Sequence, residues 1–310
     1  MHSSDPLSDV LSLLKVRSRL SAQLSVGGNW SLRFPSVGLK FNAVLHGNCF
    51  LLSPLSAQPV RLQSGDCLLL NQCGDYVLCS DPSLVPQDAR QLFSRTASDT
   101  ASYDAGQDFI AIGGDIHFEE ADHELLLGAL PPVLHIDEHS DAAPAMRWLL
   151  DRVQIERVRE IPGSNLTVDY LTQLLFIEAV RAWLHFDAPS THGWLRALVD
   201  RRVGAAVRLL HSDPARIWRL QELADAAGMS RSNFALRFKQ LCGLAPLDYA
   251  LRWRMRLGAK ALRGSAQQVA AIAFSLGYQS ESAFSNAFRR VTGTGPQEYR
   301  RTNRKPISSD

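Results

Sequence analysis

Over roughly the first 120 residues, apolar positions fall in short runs broken by turn residues; beyond about residue 145 they recur every third or fourth position. WSLRF, LKFNAVLHGNCFLLS, PVRLQSGDCLLLNQ, DYVLCS and DFIAIGGDIHF, between about Leu24 and Ile116, predict strands, with Gly-Asn, Ser-Gly-Asp and Gly-Asp at the corners. Short strands without helices between them predict a sandwich or barrel. Helical spacing predicts two helices over Ala145–Val158 and Leu166–Phe186, parted by IPGSN, and DAPSTHG (Asp187–Gly193) predicts a linker. The chain therefore divides as α+β: a β-barrel over residues 1–130, helices for dimerisation and linkage over 131–193, and an all-α domain over 194–310. Leu171, Leu174, Leu175, Ala179 and Trp183 make an apolar stripe, read either as core against the barrel or, with some preference, as a dimer interface.

In the last segment one phrase is written twice. SRSNFALRFKQLCGLAPLDY (Ser230–Tyr249) and SESAFSNAFRRVTGTGPQEY (Ser280–Tyr299) agree at Ser230/Ser280, Ser232/Ser282, Phe234/Phe284, Phe238/Phe288, Lys239/Arg289, Gly243/Gly293, Pro246/Pro296 and Tyr249/Tyr299. A repeat of this kind predicts one supersecondary unit per copy. LQELADAAG (Leu220–Gly228) reads as a short amphipathic helix, Gly228 as the turn, Ser230 as the cap of a second helix and Gly243 as its stop. Ile272 through Gly277, then Ser280, repeat that order. Pro246 opens a connecting helix to Arg263. Its seventeen residues after the proline span about 25 Å, enough to hold two reading helices about 34 Å apart, one turn of a duplex, once their offsets are included.

A net charge of +2 conceals an asymmetry: residues 1–199 hold 14 Lys+Arg against 23 Asp+Glu, and residues 200–310 hold 19 against 8. The basic half suits a polyanion and the acidic half repels one. In helix-turn-helix docking the second helix enters the major groove, with early exposed side chains at base edges and cations on phosphates. Phe234 with Phe238, and Phe284 with Phe288, lie four apart and pack inward. That leaves Arg231, Ser232, Ala235 and Leu236 in one copy, and Glu281, Ser282, Ser285 and Asn286 in the other, as candidates for base contact. Asn can pair with adenine, Ser can donate or accept, and Ala or Leu can meet a thymine methyl. Arg237, Lys239, Arg289 and Arg290 are the phosphate candidates.

These residues resemble the AraC/XylS family of bacterial transcription regulators over about Ala205–Arg301, with GTGPQEYRR similar to its closing signature. WSLRF, FNAVLHGNCFLL, PVRLQSGDCLLL, ALPPVLHI and LLFIEAVRAWL resemble the subgroup with a cupin-like N-terminal sensor. The resemblance implies a sequence-specific activator or repressor of promoter DNA, working with RNA polymerase. It also implies dimers through the helices after the barrel and an effector felt by the N-terminal domain. Where relatives commonly carry Arg this chain has Leu236 and Asn286, so their base preference is not carried over.

Metal-dependent cupins need several His and a carboxylate converging in the barrel. Asn42, Val44 and Tyr76 stand near the positions where those ligands would fall, and His46 is alone near a turn. His117 with His123, and His135 with His139, have spacings a metal could use, but the expectation is no metal, no cofactor and no enzyme. A cupin-type metal enzyme with an appended DNA-binding domain is the competing reading. The five cysteines form no C-x-x-C pair. Free cysteines ordinarily serve as small buried hydrophobes. The sharper expectation is a redox switch among Cys49, Cys67, Cys73 and Cys79, with a small organic effector as the default signal. No apolar stretch reaches membrane-spanning length and no signal-peptide pattern opens the chain, so a cytoplasmic protein is expected.

Overall fold

The computed structural model describes residues 5–14, 16–35, 38–56, 58–72, 74–93, 100–103, 106–118, 124–159, 161–185 and 194–303. They form two compact units: one is Lys15–Pro189, and the other joins Met1–Leu14 to Ser190–Asp310.

The first unit is a two-sheet β-barrel backed by helices. Its strands are β1 (Val16–Val26), β2 (Ser31–Phe34), β3 (Leu39–His46), β4 (Asn48–Leu52), β5 (Val60–Gln63), β6 (Cys67–Asn71), β7 (Tyr76–Cys79), β8 (Gln87–Asp88), β9 (Thr100–Tyr103), β10 (Phe109–Phe118) and β11 (Val133–Ile136). One sheet runs β11-β6-β3-β10-β1-β9 and the other β5-β4-β7-β2-β8. β1 and β10 pair antiparallel from Val16↔Phe118 to Val26↔Phe109, with a bulge between Leu20 and Ala22. The two inner faces meet in a core that includes Leu24, Trp30, Leu32, Val44, Leu51, Leu62, Leu68, Leu78 and Phe109. Trp30 and Phe109 lie ring to ring at 5.0 Å. Two short helices, α2 (Ala89–Phe93) and α3 (Glu124–Leu127), interrupt the strands; α5 (Ser164–His185) lies on β1, β6 and β11, and α4 (Ala143–Arg159) packs on α5.

Three expectations change here. The barrel begins at Val16 rather than near Leu24, because Arg17, Ser18, Arg19 and Ser21 dilute an otherwise alternating strand. It ends at Ile136 rather than at residue 130, since β11 closes the edge of β6 from Val133↔Leu70 to Ile136↔Cys67. The supposed dimer stripe faces inward: Leu171, Leu175, Ala179 and Trp183 are buried, and only Leu174, at 46 % exposure, looks out. Burial against the barrel takes the rest, because α5 is the helix lying directly on the sheet.

The second unit is all-α: α1 (Pro6–Leu14), α6 (Trp194–Val199), α7 (Val203–Ser212), α8 (Leu220–Ala226), α9 (Arg231–Cys242), α10 (Pro246–Gly264), α11 (Val269–Ser275), α12 (Glu281–Thr292) and α13 (Pro296–Asn303). The sequence places residues 1–130 in the barrel, yet α1 packs on α6 and α7. Its Leu7, Val10, Leu13 and Leu14 form an apolar face and are all buried. Asp5 caps it by accepting the backbone N–H of Leu7 at 3.1 Å, and Pro6 supplies a first position that needs no donor. The linker predicted over Asp187–Gly193 lies outside the described residues.

Candidate nucleic-acid interface

The two copies of the repeated phrase build two similar four-helix packings that share α10. In the first, α7 supports α8 and α9 and the start of α10 closes the set. In the second, α10 takes the place of α7, α11 and α12 follow, and α13 closes. The aromatic chains match. Phe234 meets Phe238 at 5.6 Å and Phe238 meets Tyr249 at 5.6 Å; Phe284 meets Phe288 at 5.4 Å and Phe288 meets Tyr299 at 5.3 Å. All four phenylalanines are fully buried. At Gly258 a Cβ would sit 3.0 Å from the Phe284 ring, so a hydrogen there lets α10 lie close against α12.

The polar ends of those chains differ. Tyr299 bonds the Arg263 guanidinium of α10. Tyr249 instead meets His211 Nε2 of α7 at 2.8 Å, and His211 Nδ1 lies 3.3 Å from Asp9 Oδ2 of α1. The His211 ring also stacks on Trp253 at 4.1 Å. Burial pushes the imidazole down to about 4, so it is neutral near pH 7 and joins the two partners as one donor and one acceptor. Burial, with Asp5 nearby, also raises the Asp9 carboxyl.

The second helix of each unit is stopped by a left-handed glycine, Gly243 (φ 72°) and Gly293 (φ 82°). Ser280 caps α12 by accepting the Ala283 N–H at 3.2 Å, whereas Ser230 starts α9 without a side-chain cap bond among the described residues. Of the base-contact candidates Arg231, Ser232, Leu236, Glu281, Ser282 and Asn286 are exposed, and Ala235 and Ser285 are half-buried. Leu236 stands 60 % exposed on the outer side of α9. Lys239, Arg289 and Arg290 are exposed near the C-terminal ends of α9 and α12.

Arg237 is otherwise engaged. Its Nη2 and Nε donate to Asp200 Oδ2 at 2.6 and 3.1 Å. Asp200 also accepts the backbone N–H of Arg202 and Val203 at the head of α7. Burial alone would raise that carboxyl, but these bonds hold it below the usual carboxylate range. Arg237 thus ties α9 to the α6–α7 turn, which alters its expected place among the phosphate contacts. Sequence reasoning missed Asp200, His211 and Asp9, which lie 37, 38 and 202 residues from the side chains they join in or near the repeat. It also missed a cleft of about 570 Å³ beside α12, where Gln297, Glu298 and Arg301 of α13 face Glu281, Ser285 and Arg289.

A cupin family pattern matches residues 5–185 and a helix-turn-helix domain pattern matches residues 223–302. An AraC-like transcription regulator from Streptomyces antibioticus is 43 % identical over 299 residues, covering 96 % of this chain and 98 % of the relative. The chain belongs to the AraC-like transcription regulators. Regulator AlkR of Acinetobacter baylyi is 37 % identical over 179 residues, covering 56 % of this regulator and 58 % of its own length. Among solved structures, the DNA-binding domain of AdpA in complex with a target DNA is 30 % identical, covering 33 % of this regulator and 92 % of that chain with a TM-score of 0.31. As an AraC-like regulator with a helix-turn-helix domain it is a DNA-binding protein whose partner is double-stranded DNA, and among the described residues no helix is long and apolar enough to cross a membrane.

The sensor candidates of this regulator are largely enclosed. Cys49, Cys67 and Cys79 are buried free thiols, and burial pushes all three up, away from the reactive thiolate; Cys73 lies outside the described residues. His135 Nε2 meets the buried Asp66 Oδ2 at 2.9 Å, while His123 falls outside the described residues. Among the described residues no group of three or more His, Cys, Asp or Glu is placed to hold a metal ion.

Proposed function

We propose that the regulator is an effector-controlled promoter switch that reads DNA with α9 and α12 and receives a small organic effector in the barrel. The observation that carries the reading is the pair of helices themselves. Each has its phenylalanines sealed inside and an exposed outer face, and the two share one strut in the basic half of the chain. Base contact is assigned to Arg231, Ser232, Ala235 and Leu236 in α9, and to Glu281, Ser282, Ser285 and Asn286 in α12. Phosphate contact goes to Lys239, Arg289 and Arg290. Effector binding shifts the population of DNA-competent arrangements, and RNA polymerase reads the result.

A small organic effector is favoured over an oxidant because the described barrel thiols are buried and shifted away from thiolate. Inside the barrel the Asn42 Nδ2 is a buried donor that meets no acceptor among the described residues. Asn42 Oδ1 lies 3.4 Å from Tyr76 Oη, and Tyr76 stacks on Phe34 at 5.3 Å. That suits a flat, largely apolar molecule carrying one acceptor oxygen. Dimerisation is assigned to the outer faces of α4 and α5, where Trp148 is 63 % and Tyr170 60 % exposed, with Ile155, Leu166 and Leu174 outward as well. Sedimentation of the full chain tests it: Trp148→Asp with Tyr170→Asp yields monomers, and an unchanged dimer assigns the interface elsewhere.

The DNA assignment is tested by titrating the selected operator and its single-base variants. Asn286→Ala relaxes preference at one or two base pairs at a cost of about 1–3 kcal/mol. Arg290→Ala weakens every sequence and lowers the salt slope by about one. Equal, sequence-independent losses from both changes would refute these roles.

A further inference from the structure

Gly228 and Gly277 occupy equivalent turns, and both are left-handed, at φ 60° and 81°. Their surroundings differ. A Cβ on Gly228 would meet nothing within 4 Å, whereas one on Gly277 would lie 1.8 Å from the Ala215 carbonyl oxygen. Ala215 belongs to the α7–α8 loop of the first helix-turn-helix unit, so the turn of the second helix-turn-helix unit rests on the backbone of the first. The loop is firm: Asp213 Oδ1 accepts the Arg216 N–H at 3.2 Å, the Asp213 carbonyl accepts the Trp218 indole N–H at 3.1 Å, and Arg216 lies 4.1 Å over the Trp218 ring.

We infer that Gly277 is a positioning residue that sets the spacing at which the two recognition helices can engage one duplex. The inference rests on the two-helix reading given above. A single strut fixes how far apart two packed units sit but leaves their rotation about its axis weakly determined. A second contact off that axis removes this freedom. Relieving the overlap at Gly277 needs about 1.5 Å of movement. Over a lever of about 10 Å, the usual separation of packed helices, that is a turn of roughly 9°. Side chains that must lie within hydrogen-bond reach of base edges do not tolerate such a turn.

The test uses the full chain and duplexes selected by it from random-sequence oligonucleotides, with the two contacted segments located by footprinting. They are then moved apart or together by one or two base pairs. Asn adopts left-handed backbone readily, so Gly228→Asn keeps the preferred spacing and binds within about threefold of the parent. Gly277→Asn loses at least about tenfold on the parent spacing, and its optimum moves or flattens, while each segment alone is bound as before. Insertion of one glycine after Ala215 displaces the same carbonyl without touching the second unit and changes the optimum in the same way; it decides the matter should Gly277→Asn fail to fold. Retention of the parent spacing by the insertion variant, or by a folded Gly277→Asn, overturns the inference. A parent footprint lacking two segments would instead overturn the two-helix reading.

Discussion

Truncating a side chain near the N-terminus should weaken the DNA-binding unit and leave the barrel intact, although Leu13 stands only three residues before the first barrel strand. Leu13 is 2 % exposed in the face that α1 lays on α6 and α7, between Val10 and Leu14, which are fully buried. Leu→Ala in a core costs about 2–5 kcal/mol, set by how far the site can collapse. A nine-residue helix at the edge of the unit can settle partly into the gap, which places Leu13→Ala at about 2–3 kcal/mol. For a unit of this size that lowers the melting point by on the order of 10 °C. Hydrogen exchange on the full chain reads where the loss falls: α6, α7 and the first turns of α10 exchange faster, while β1, β3 and β10 keep their protection. Leu55→Ala, at a position 57 % exposed in the barrel, serves as the control and changes neither. Faster exchange confined to the barrel strands would refute the assignment of α1 to the DNA-binding unit.

Two further outcomes follow from the same unit. The folded His211 pKa of about 4 lies below its ordinary value of 6.5, so the unfolded chain binds a proton that the folded chain does not, and stability falls as pH drops through that window. Between pH 7 and 5 the loss is about 2 kcal/mol, less whatever Asp9 returns to the protonated ring; melts of His211→Gln should lack this step, and an equal step would assign it to another group. Asp200→Ala removes a cap from α7 and an ion pair from α9, lowering stability by about 1–2 kcal/mol. Freed, Arg237 should steepen the salt dependence of DNA binding by about one, and an unchanged slope would place it away from phosphate.

How much of this was legible in the chain depends on the range of the interactions involved. The repeat, its glycine stops and the inward phenylalanines are local, periodic signals, and α9 and α12 follow them closely. Helix α1 was equally periodic, with Leu7, Val10, Leu13 and Leu14 on one face, but its partners are almost 200 residues away and no local signal names them. β1 was half-read because its polar residues outnumber the apolar ones that pair it to β10. The ties of Arg237 to Asp200, of His211 to Asp9 and of Gly277 to Ala215 are contacts of position. Nothing about an arginine, a histidine or a glycine in isolation announces which backbone or carboxylate it will meet. The outward faces of α4 and α5 escaped notice because hydrophobic spacing alone does not distinguish a face buried on the barrel from one left open.

The most direct test of the account is a footprint of the full chain on duplexes selected from a random pool at low ionic strength. Two protected segments are predicted on one face of the duplex, centred about 10 base pairs apart, with Asn286→Ala relaxing sequence preference in one of them only. Selection that returns no preferred sequence, with the helical unit shown to be folded, would contradict it.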